Sequence, residues 1–160
     1  MTGLALFFAT VGKVGYAPIA PGTFGSAIGV ALYLGMSYLK FDAPMQVVVT
    51  LLIVAGGVWA AGEAARAFQQ EDPSQVVVDE VAGQMVTLVL TGAALTGSVI
   101  GFFIFRALDI IKPWPAGKIE RMHGGIGIVG DDVMVAVYGN LLLQGVFMLP
   151  SVIAGFPDLR

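Results

Sequence analysis

The chain has 160 residues, of which 57% are hydrophobic and only 12% are charged, and its formal net charge is −3. This length corresponds to one domain, residues 1–160, and the hydrophobic fraction exceeds the roughly 45–50% of soluble proteins, which predicts a membrane-embedded chain. The absence of cysteine excludes disulfides, thiolate metal sites and a cysteine nucleophile, and the eight basic residues are too few for a nucleic-acid surface.

Taken in chain order, the apolar runs predict an all-α, polytopic membrane bundle of about five spans. Residues 2–12 are apolar but shorter than the roughly 20 residues needed to cross about 30 Å of hydrocarbon, so we expect them to lie at the interface or on the bundle. The run at 75–91 is also somewhat short for a span. The five predicted spans cover residues 23–39, 45–68, 75–91, 98–111 and 131–153.

Polar or glycine- and proline-rich segments separate these runs. Thr23 follows a Pro-Gly pair and is predicted to be the N-cap of the first span. Residues 69–74 are the most polar stretch of the chain and predict an exposed loop. After the fourth run, prolines stop the helix, and a loop over 113–131 leads to the last span, which is predicted to start at Asp131.

Two adjacent carboxylates, Asp79 and Glu80, lie near the start of the apolar third run. In a helix, Glu80 begins a polar stripe that continues through Gln84, Thr87 and Thr91, and such a stripe is expected to face protein. Neighbouring helical residues are about 100° apart, so Asp79 points away from Glu80 and the pair can serve two sides of one site. The alternative is that both acids only complement the helix dipole.

Helix parity brings distant segments to one side of the membrane. With five crossings, residues 21–26, 67–80 and 106–132 all fall on the same face. Six of the eight basic residues lie on that face, and only Lys40 and Arg160 lie opposite. By the positive-inside rule, this face is predicted to be cytoplasmic.

Acids near helix ends are therefore predicted to meet at this face. Each ionisable group costs on the order of 2.5–3.5 kcal/mol at mid-membrane depth, and a hard divalent cation would also relieve the repulsion between the acids. Oxygen ligands, with no cysteine and one histidine, favour Mg²⁺ over Zn²⁺. For Asp132 the alternative is a simple N-cap. The predicted metal ligands are Asp79, Glu80, Asp109, Asp131 and Asp132.

Basic side chains beside these acids can hold a phosphate group. Arg106 lies three residues before Asp109, on the same helical face, and Lys112 follows at the end of the run. We expect Arg106 and Lys112 to bind phosphate together with Arg121 and Thr23, because arginine gives a bidentate grip and lysine a point charge. The alternative for Arg106 is a structural ion pair with Asp109.

Four strings, in this order, resemble the phosphatidylglycerophosphatase A family. The most specific is the Arg-x-x-Asp-x-x-Lys-Pro-Trp-Pro string that begins at Arg106. Together they cover the chain from about residue 15 to residue 138. The four strings are residues 21–26, 79–83, 105–115 and 123–132.

The resemblance implies a magnesium-dependent bacterial membrane phosphatase that hydrolyses phosphatidylglycerophosphate to phosphatidylglycerol and phosphate. It also implies an all-helical bundle with a central helix. The five acids named above match the family's motifs by position. His123 opens the last string, but as a single histidine it is more simply a loop residue than a catalyst.

Hydrolysis is the leading functional hypothesis, with Asp79, Glu80, Asp131 and Asp132 as catalytic residues. Carboxylate-held Mg²⁺ would lower the pKa of a bound water or polarise the phosphoryl oxygen, while a neighbouring acid acts as base. A lipid phosphotransferase of the CDP-alcohol type also clusters aspartates at the cytoplasmic face, but its Asp-Gly signature is missing here. A divalent-cation transporter would need acids at mid-membrane on several spans.

Overall fold

The computed structural model describes residues 2–149, and every regular element in this range is a helix. The prediction of an all-α fold is therefore confirmed for the described residues. The predicted end of the last span near residue 153, and Arg160, lie outside them. The elements are α1 (Thr2–Ala9), a 3-10 turn (Val14–Tyr16), α2 (Pro21–Tyr38), α3 (Ala43–Phe68), α4 (Val78–Leu88), α5 (Leu95–Ile111), α6 (Ala116–Ile119) and α7 (Gly125–Phe147).

Helix α4 lies at the centre of the bundle, where it contacts α2, α3, α5 and α7. Glycines on α2 let the two backbones approach closely, because a Cβ atom at Gly29 would lie 2.7 Å from Gln84 Cβ and 2.9 Å from the Val81 carbonyl oxygen. The polar stripe predicted on this helix does face protein. Gln84 and Thr87 are fully buried, while Thr91, which is 6% exposed, lies beyond the end of the helix at Leu88.

Helix α4 has 11 residues and ends at Leu88, three residues before the predicted limit at residue 91. Its last carbonyl groups lack partners within the helix, and the amide of Asn140 on α7 supplies them. The two N–H groups of Asn140 Nδ2 are shared among the carbonyl oxygens of Val86 (3.1 Å), Thr87 (3.1 Å) and Val89 (2.8 Å). This contact allows a helix to stop inside an apolar bundle, where unsatisfied backbone groups are costly.

All the long helices have one end in common, which we call the polar end: α2, α4 and α7 begin there, and α3 and α5 finish there. A Cβ atom at Gly22 would lie 3.3 Å from Arg106 Nη1, and one at Gly62 would lie 3.2 Å from the Gly125 nitrogen. The opposite end is an apolar cluster that includes Tyr33, Met36, Met85, Leu88 and Leu143. The predicted convergence of distant segments is thus confirmed.

Two helices of the described region, α3 and α7, are long and apolar enough to cross a membrane. Helix α4 is about 16 Å long at 1.5 Å per residue, which is shorter than the hydrocarbon layer. Helices α2 and α5 have 18 and 17 residues. Membrane-compatible helices are therefore present, while the number of crossings stays a prediction.

The structure corrects two predicted helix starts. Helix α2 begins at Pro21, with Ala20 as its N-cap in a left-handed conformation (φ 46°), so Thr23 lies inside the first turn and is not the N-cap. Helix α7 begins at Gly125, and Asp131 and Asp132 lie in its second turn rather than at its start. Asp132 is therefore not an N-cap.

The glycine-rich part of the predicted loop over 113–131 is helical because it is closely packed. A Cβ atom at Gly125 would overlap the Val58 carbonyl oxygen, and one at Gly127 would overlap the Met122 carbonyl oxygen. The short helix α6 lies earlier in the same segment. Glycine is a poor helix former, and here Gly125 is required by contact with the backbone of Val58, which is distant in sequence, and Gly127 by contact with the backbone of Met122, five residues before it.

Candidate active site

A cavity of about 370 Å³ opens at the polar end, and we call it the acid cavity. All five predicted metal ligands line it, together with the predicted phosphate ligands Lys112 and Arg121. A larger open groove of about 530 Å³ lies beside it, but Glu71 is the only acid among its lining residues. The carboxylates of the acid cavity are Glu71, Asp72, Asp79, Glu80, Asp109, Glu120, Asp131 and Asp132.

The first turn of α4 and the second turn of α7 place three acids with unpaired oxygens in this cavity. Asp79 Oδ1, Glu80 Oε2 and Asp132 Oδ2 are all buried and have no hydrogen-bond partner. Asp132 as a whole is 4% exposed. A buried carboxylate without a partner costs several kcal/mol, so these oxygens favour a cation at this place.

Arg106 joins acids from two helices. Its Nη1 atom donates a hydrogen bond of 2.8 Å to Asp109 Oδ2 on α5 and lies 3.7 Å from Glu80 Oε1 on α4. The ion pair with Asp109, considered above as a purely structural alternative, is therefore present. Because the same guanidinium also faces Glu80, it lies beside the unpaired carboxylate oxygens rather than on a separate surface.

Lys112 also joins two acids. Its Nζ atom donates hydrogen bonds of 2.7 Å to Asp131 Oδ2 and 2.7 Å to Glu120 Oε1. Burial lowers the pKa of Lys112, but the hydrogen bonds to Asp131 and Glu120 raise it more, so the net pKa lies above the usual range of lysine. The ammonium group therefore stays charged at neutral pH, and Asp131 keeps a cation beside it.

The remaining predicted site residues are placed less centrally. Arg121 is exposed at the mouth of the acid cavity. Thr23 is half-buried on α2, next in sequence to Gly22, and does not line the cavity. His123 lines it but is 91% exposed, and its Nε2 atom lies 3.8 Å from Glu71 Oε1.

Sequence patterns missed four residues of the site. Glu71 and Asp72 lie in the polar loop after α3, and Glu120 follows α6; the parity of the predicted spans had placed these segments on the correct side. Gly22 is different, because no spacing rule indicates its role. A Cβ atom at Gly22 would overlap Glu80 Oε1 and lie 3.3 Å from Arg106 Nη1. Gly22 therefore leaves the space that the Glu80 carboxylate occupies.

The donor set is compatible with Mg²⁺, although it does not form a closed cage. Within residues 2–149, no three acidic or histidine side chains are arranged to hold a metal ion by themselves. Mg²⁺ in phosphate-handling sites commonly binds only one or two carboxylates and completes its octahedron with water and substrate phosphate. The unpaired oxygens of Asp79, Glu80 and Asp132 are of the right chemical type for this.

These observations define a class of protein. A helical bundle with an apolar surface gathers acids, an arginine and a lysine in one cavity, which is a composition suited to phosphate esters. The family model for phosphatidylglycerophosphatase A matches residues 7–147, and the chain belongs to this family. It is accordingly a phosphatase.

Three relatives are similar over most of their length. A Bacteroides thetaiotaomicron protein named "Putative phosphatidylinositol-3-phosphatase" is 33% identical over 135 residues, which is 81% of this chain and 84% of the relative. Escherichia coli phosphatidylglycerophosphatase A is 34% identical, covering 77% and 72%. Haemophilus influenzae phosphatidylglycerophosphatase A is 28% identical, covering 78% and 77%. No solved structure matches the chain.

Gly22 gives the first testable prediction. The change Gly22→Ala should push the Glu80 carboxylate aside, because the added methyl group would occupy its position. A misplacement of about 1 Å can reduce turnover about 100-fold, while the flexible Glu80 side chain lets the fold persist. We expect a loss of phosphatase activity of this size with an unchanged thermal midpoint.

Gly35 provides the matched control on the same helix, because a Cβ atom there meets nothing within 4 Å. Gly35→Ala should keep both activity and stability. Full activity in Gly22→Ala would show that the close approach of α2 to Glu80 has no functional role.

Proposed function

We propose that the protein hydrolyses phosphatidylglycerophosphate to phosphatidylglycerol and inorganic phosphate, with Mg²⁺ as cofactor. The observation that carries this proposal is the set of unpaired, buried oxygens of Asp79, Glu80 and Asp132 in one cavity next to Arg106. Membership of the phosphatidylglycerophosphatase A family supports the reaction type and the lipid substrate.

The proposed metal-binding residues are the five acids of the prediction, which have two kinds of surroundings. Asp79, Glu80 and Asp132 each have an oxygen without a hydrogen-bond partner, which leaves that oxygen available to bind a metal ion. Asp109 and Asp131 already contact Arg106 and Lys112, so they hold those cations in the cavity. Bound Mg²⁺ would supply polarisation of the phosphoryl group and acidification of a water molecule.

The carboxylates that line the cavity are the proposed acceptors of the proton from the attacking water. A base must lie within hydrogen-bond reach of the water that attacks phosphorus. Among the four proposed catalytic acids, Asp131 has its Oδ2 atom occupied by Lys112 Nζ. The other three, Asp79, Glu80 and Asp132, each keep an oxygen without a partner and are the candidates for base.

Of the proposed phosphate-binding residues, Lys112 and Arg121 line the acid cavity, while Arg106 contacts acids that line it. The guanidinium of Arg106 lies beside Glu80 and Asp109. A phosphate monoester bound next to it would accept hydrogen bonds from the N–H groups of Arg106 that do not contact these acids. Lys112 contributes charge, although both of its present partners are carboxylates. Arg121 at the cavity mouth and Thr23 beside Gly22 complete the proposed set.

We also propose a multi-pass protein in a bacterial inner membrane, with the polar end at the cytoplasmic face. The uneven distribution of basic residues supports this orientation. A five-crossing path requires the chain to cross at α4 with the help of the non-helical residues that follow it. Burial of α4 among four helices, and the Asn140 contacts at its end, make such a path compatible with an apolar surrounding.

A second substrate is favoured by one observation, the name of the Bacteroides thetaiotaomicron relative. Phosphatidylinositol 3-phosphate is also a lipid phosphate monoester, so the acid cavity could act on it by the same chemistry. Purified protein should release inorganic phosphate from phosphatidylglycerophosphate in the presence of Mg²⁺, and more slowly from phosphatidylinositol 3-phosphate. Release only from the inositol lipid would contradict the proposed substrate.

The same assay separates the other reaction classes. A phosphotransferase would move the phosphate-bearing group to a second alcohol without releasing inorganic phosphate, and a transporter would release none. EDTA should abolish the activity, and added Mg²⁺ should restore it. Unchanged turnover in EDTA would contradict the proposed Mg²⁺ cofactor but not the proposed hydrolase activity.

Arg106 can be tested by a conservative change. Arg106→Lys keeps the positive charge but loses the planar fork that reaches Asp109 and, in the proposal, the phosphate. We expect activity to fall about 100-fold, the usual effect of removing one donor to a transition-state oxygen. Arg66→Lys is the matched control, since Arg66 pairs with Glu63 on the surface and is 72% exposed. Equal activity in both variants would reduce Arg106 to a structural role.

The orientation can be tested cleanly because the chain contains no cysteine. Gln70 is exposed at the polar end and Lys40 is exposed at the opposite end, with α3 between them. In intact cells, a membrane-impermeant maleimide should label Lys40→Cys, and should label Gln70→Cys only after the membrane is opened. The reverse pattern would contradict a cytoplasmic active site.

A further inference from the structure

A groove lies between α2 and α5, close to the acid cavity. It has a volume of about 280 Å³ and an almost wholly apolar lining. Its open side is hydrophobic, since Phe103 is 66% exposed and Val99 is 44% exposed. The residues that line this α2–α5 groove are Ala27, Val30, Val99, Phe102 and Phe103.

Helical spacing connects this groove with the polar end. On α5, Arg106 follows Phe103 by three residues and Phe102 by four, so all three lie along one face. On α2, Thr23 precedes Ala27 by four residues on the same face. Each wall of the groove is therefore apolar along the groove and carries a polar side chain, Thr23 or Arg106, one turn nearer the polar end.

The two walls meet at that polar end. A Cβ atom at Gly22 would lie 3.3 Å from Arg106 Nη1, so α2 and α5 are in close contact there. Arg106 in turn contacts Asp109 and faces Glu80, both of which line the acid cavity. Arg106 therefore contacts acids of the cavity and lies on the same face of α5 as the groove residues Phe102 and Phe103.

We propose that the α2–α5 groove holds the first part of one acyl chain of the lipid substrate, while the phosphate lies beyond Arg106. The charge distribution supports this occupant, because a lipid phosphate needs a cation at its head and an apolar wall below it. From Val99, which lines the groove, to Arg106, helix α5 rises about 10 Å at 1.5 Å per residue, which matches the upper part of an acyl chain rather than its whole length.

A second apolar depression of about 400 Å³ is less suited to the same chain. It lies between α1, α2, α3 and α4, and its lining includes Ile28, Leu32 and Val78. Ile28 and Leu32 lie on a different flank of α2 from Ala27. No basic residue of the described part of the chain lines that depression, so an acyl chain placed there would have no cation at its head.

The acyl-chain site rests on the proposed function, and its test compares two versions of the substrate. Ala27 is exposed in the groove, so Ala27→Phe should fill it without touching the acid cavity. We would measure kcat/KM for phosphatidylglycerophosphate with oleoyl chains and with six-carbon chains. The ratio of the two values should fall about tenfold in Ala27→Phe, equivalent to the burial of about two methylene groups.

Ala55 gives the matched control, because it is an exposed alanine on the lipid-accessible surface of α3 and lines none of these grooves. Ala55→Phe should keep the parent ratio. The same ratio in both variants would overturn the acyl-chain site. A dimer that Ala27→Phe dissociates, with the ratio unchanged, would assign the groove to a second copy of the chain and would also overturn it.

A second readout does not depend on turnover. Phosphatidylglycerol with a diazirine in the upper part of one acyl chain should label the peptide that contains Phe102 and Phe103 in the parent protein and in Ala55→Phe, and label it less in Ala27→Phe. If neither lipid phosphate is hydrolysed but this labelling pattern is found, the proposed function fails and the lipid site stands. Equal labelling in all three proteins would remove the site.

Discussion

The structure depends on one electrostatic constraint, the burial of several carboxylates at one end of an apolar helical bundle. Asp79, Glu80 and Asp132 each keep a buried oxygen without a hydrogen-bond partner. Arg106 pairs with Asp109 and faces Glu80, and Lys112 pairs with Glu120 and Asp131. The side chains of Arg106 and Lys112 cannot balance the eight carboxylates that line the acid cavity in the described part of the chain, so negative charge remains uncompensated. A site that retains this charge despite a cost of several kcal/mol per ion is suited to receive a divalent cation, as we propose.

The fold positions these acids by stopping and burying one short helix. Helix α4 begins at the polar end with Asp79 and Glu80 and ends after 11 residues, because Asn140 satisfies its last carbonyl groups. The glycines of α2 bring that helix against α4, and Gly22 leaves room for the Glu80 carboxylate. Packing and the candidate site are linked here, because the close helix approach that compensates for a weak hydrophobic effect in lipid also positions the Glu80 carboxylate.

Patterns that repeat within one helix were predictable from the sequence, and contacts between helices were not. The three-residue spacing of Arg106 and Asp109 indicated that the two can form an ion pair. The alternating direction of successive apolar runs predicted that distant segments meet at one end of the bundle. The predicted start of α7 at Asp131 was wrong, because the helical position of Gly125 depends on its contact with distant backbone. The early end of α4 depends on Asn140, about 50 residues later in sequence. Nothing local to Gly22 indicates that it faces Glu80.

Magnesium binding measured by thermal unfolding tests the central claim most directly. Without Mg²⁺, Asp132→Asn should be more stable than the parent protein, because the amide removes buried repulsion. With Mg²⁺ at about 100 times its dissociation constant, the parent should gain about 2.7 kcal/mol and become the more stable of the two. Asp42→Asn, an exposed change at the opposite end, should follow the parent throughout. If Mg²⁺ stabilises all three proteins equally, or no more than potassium chloride at the same ionic strength, the buried acids do not form a metal site.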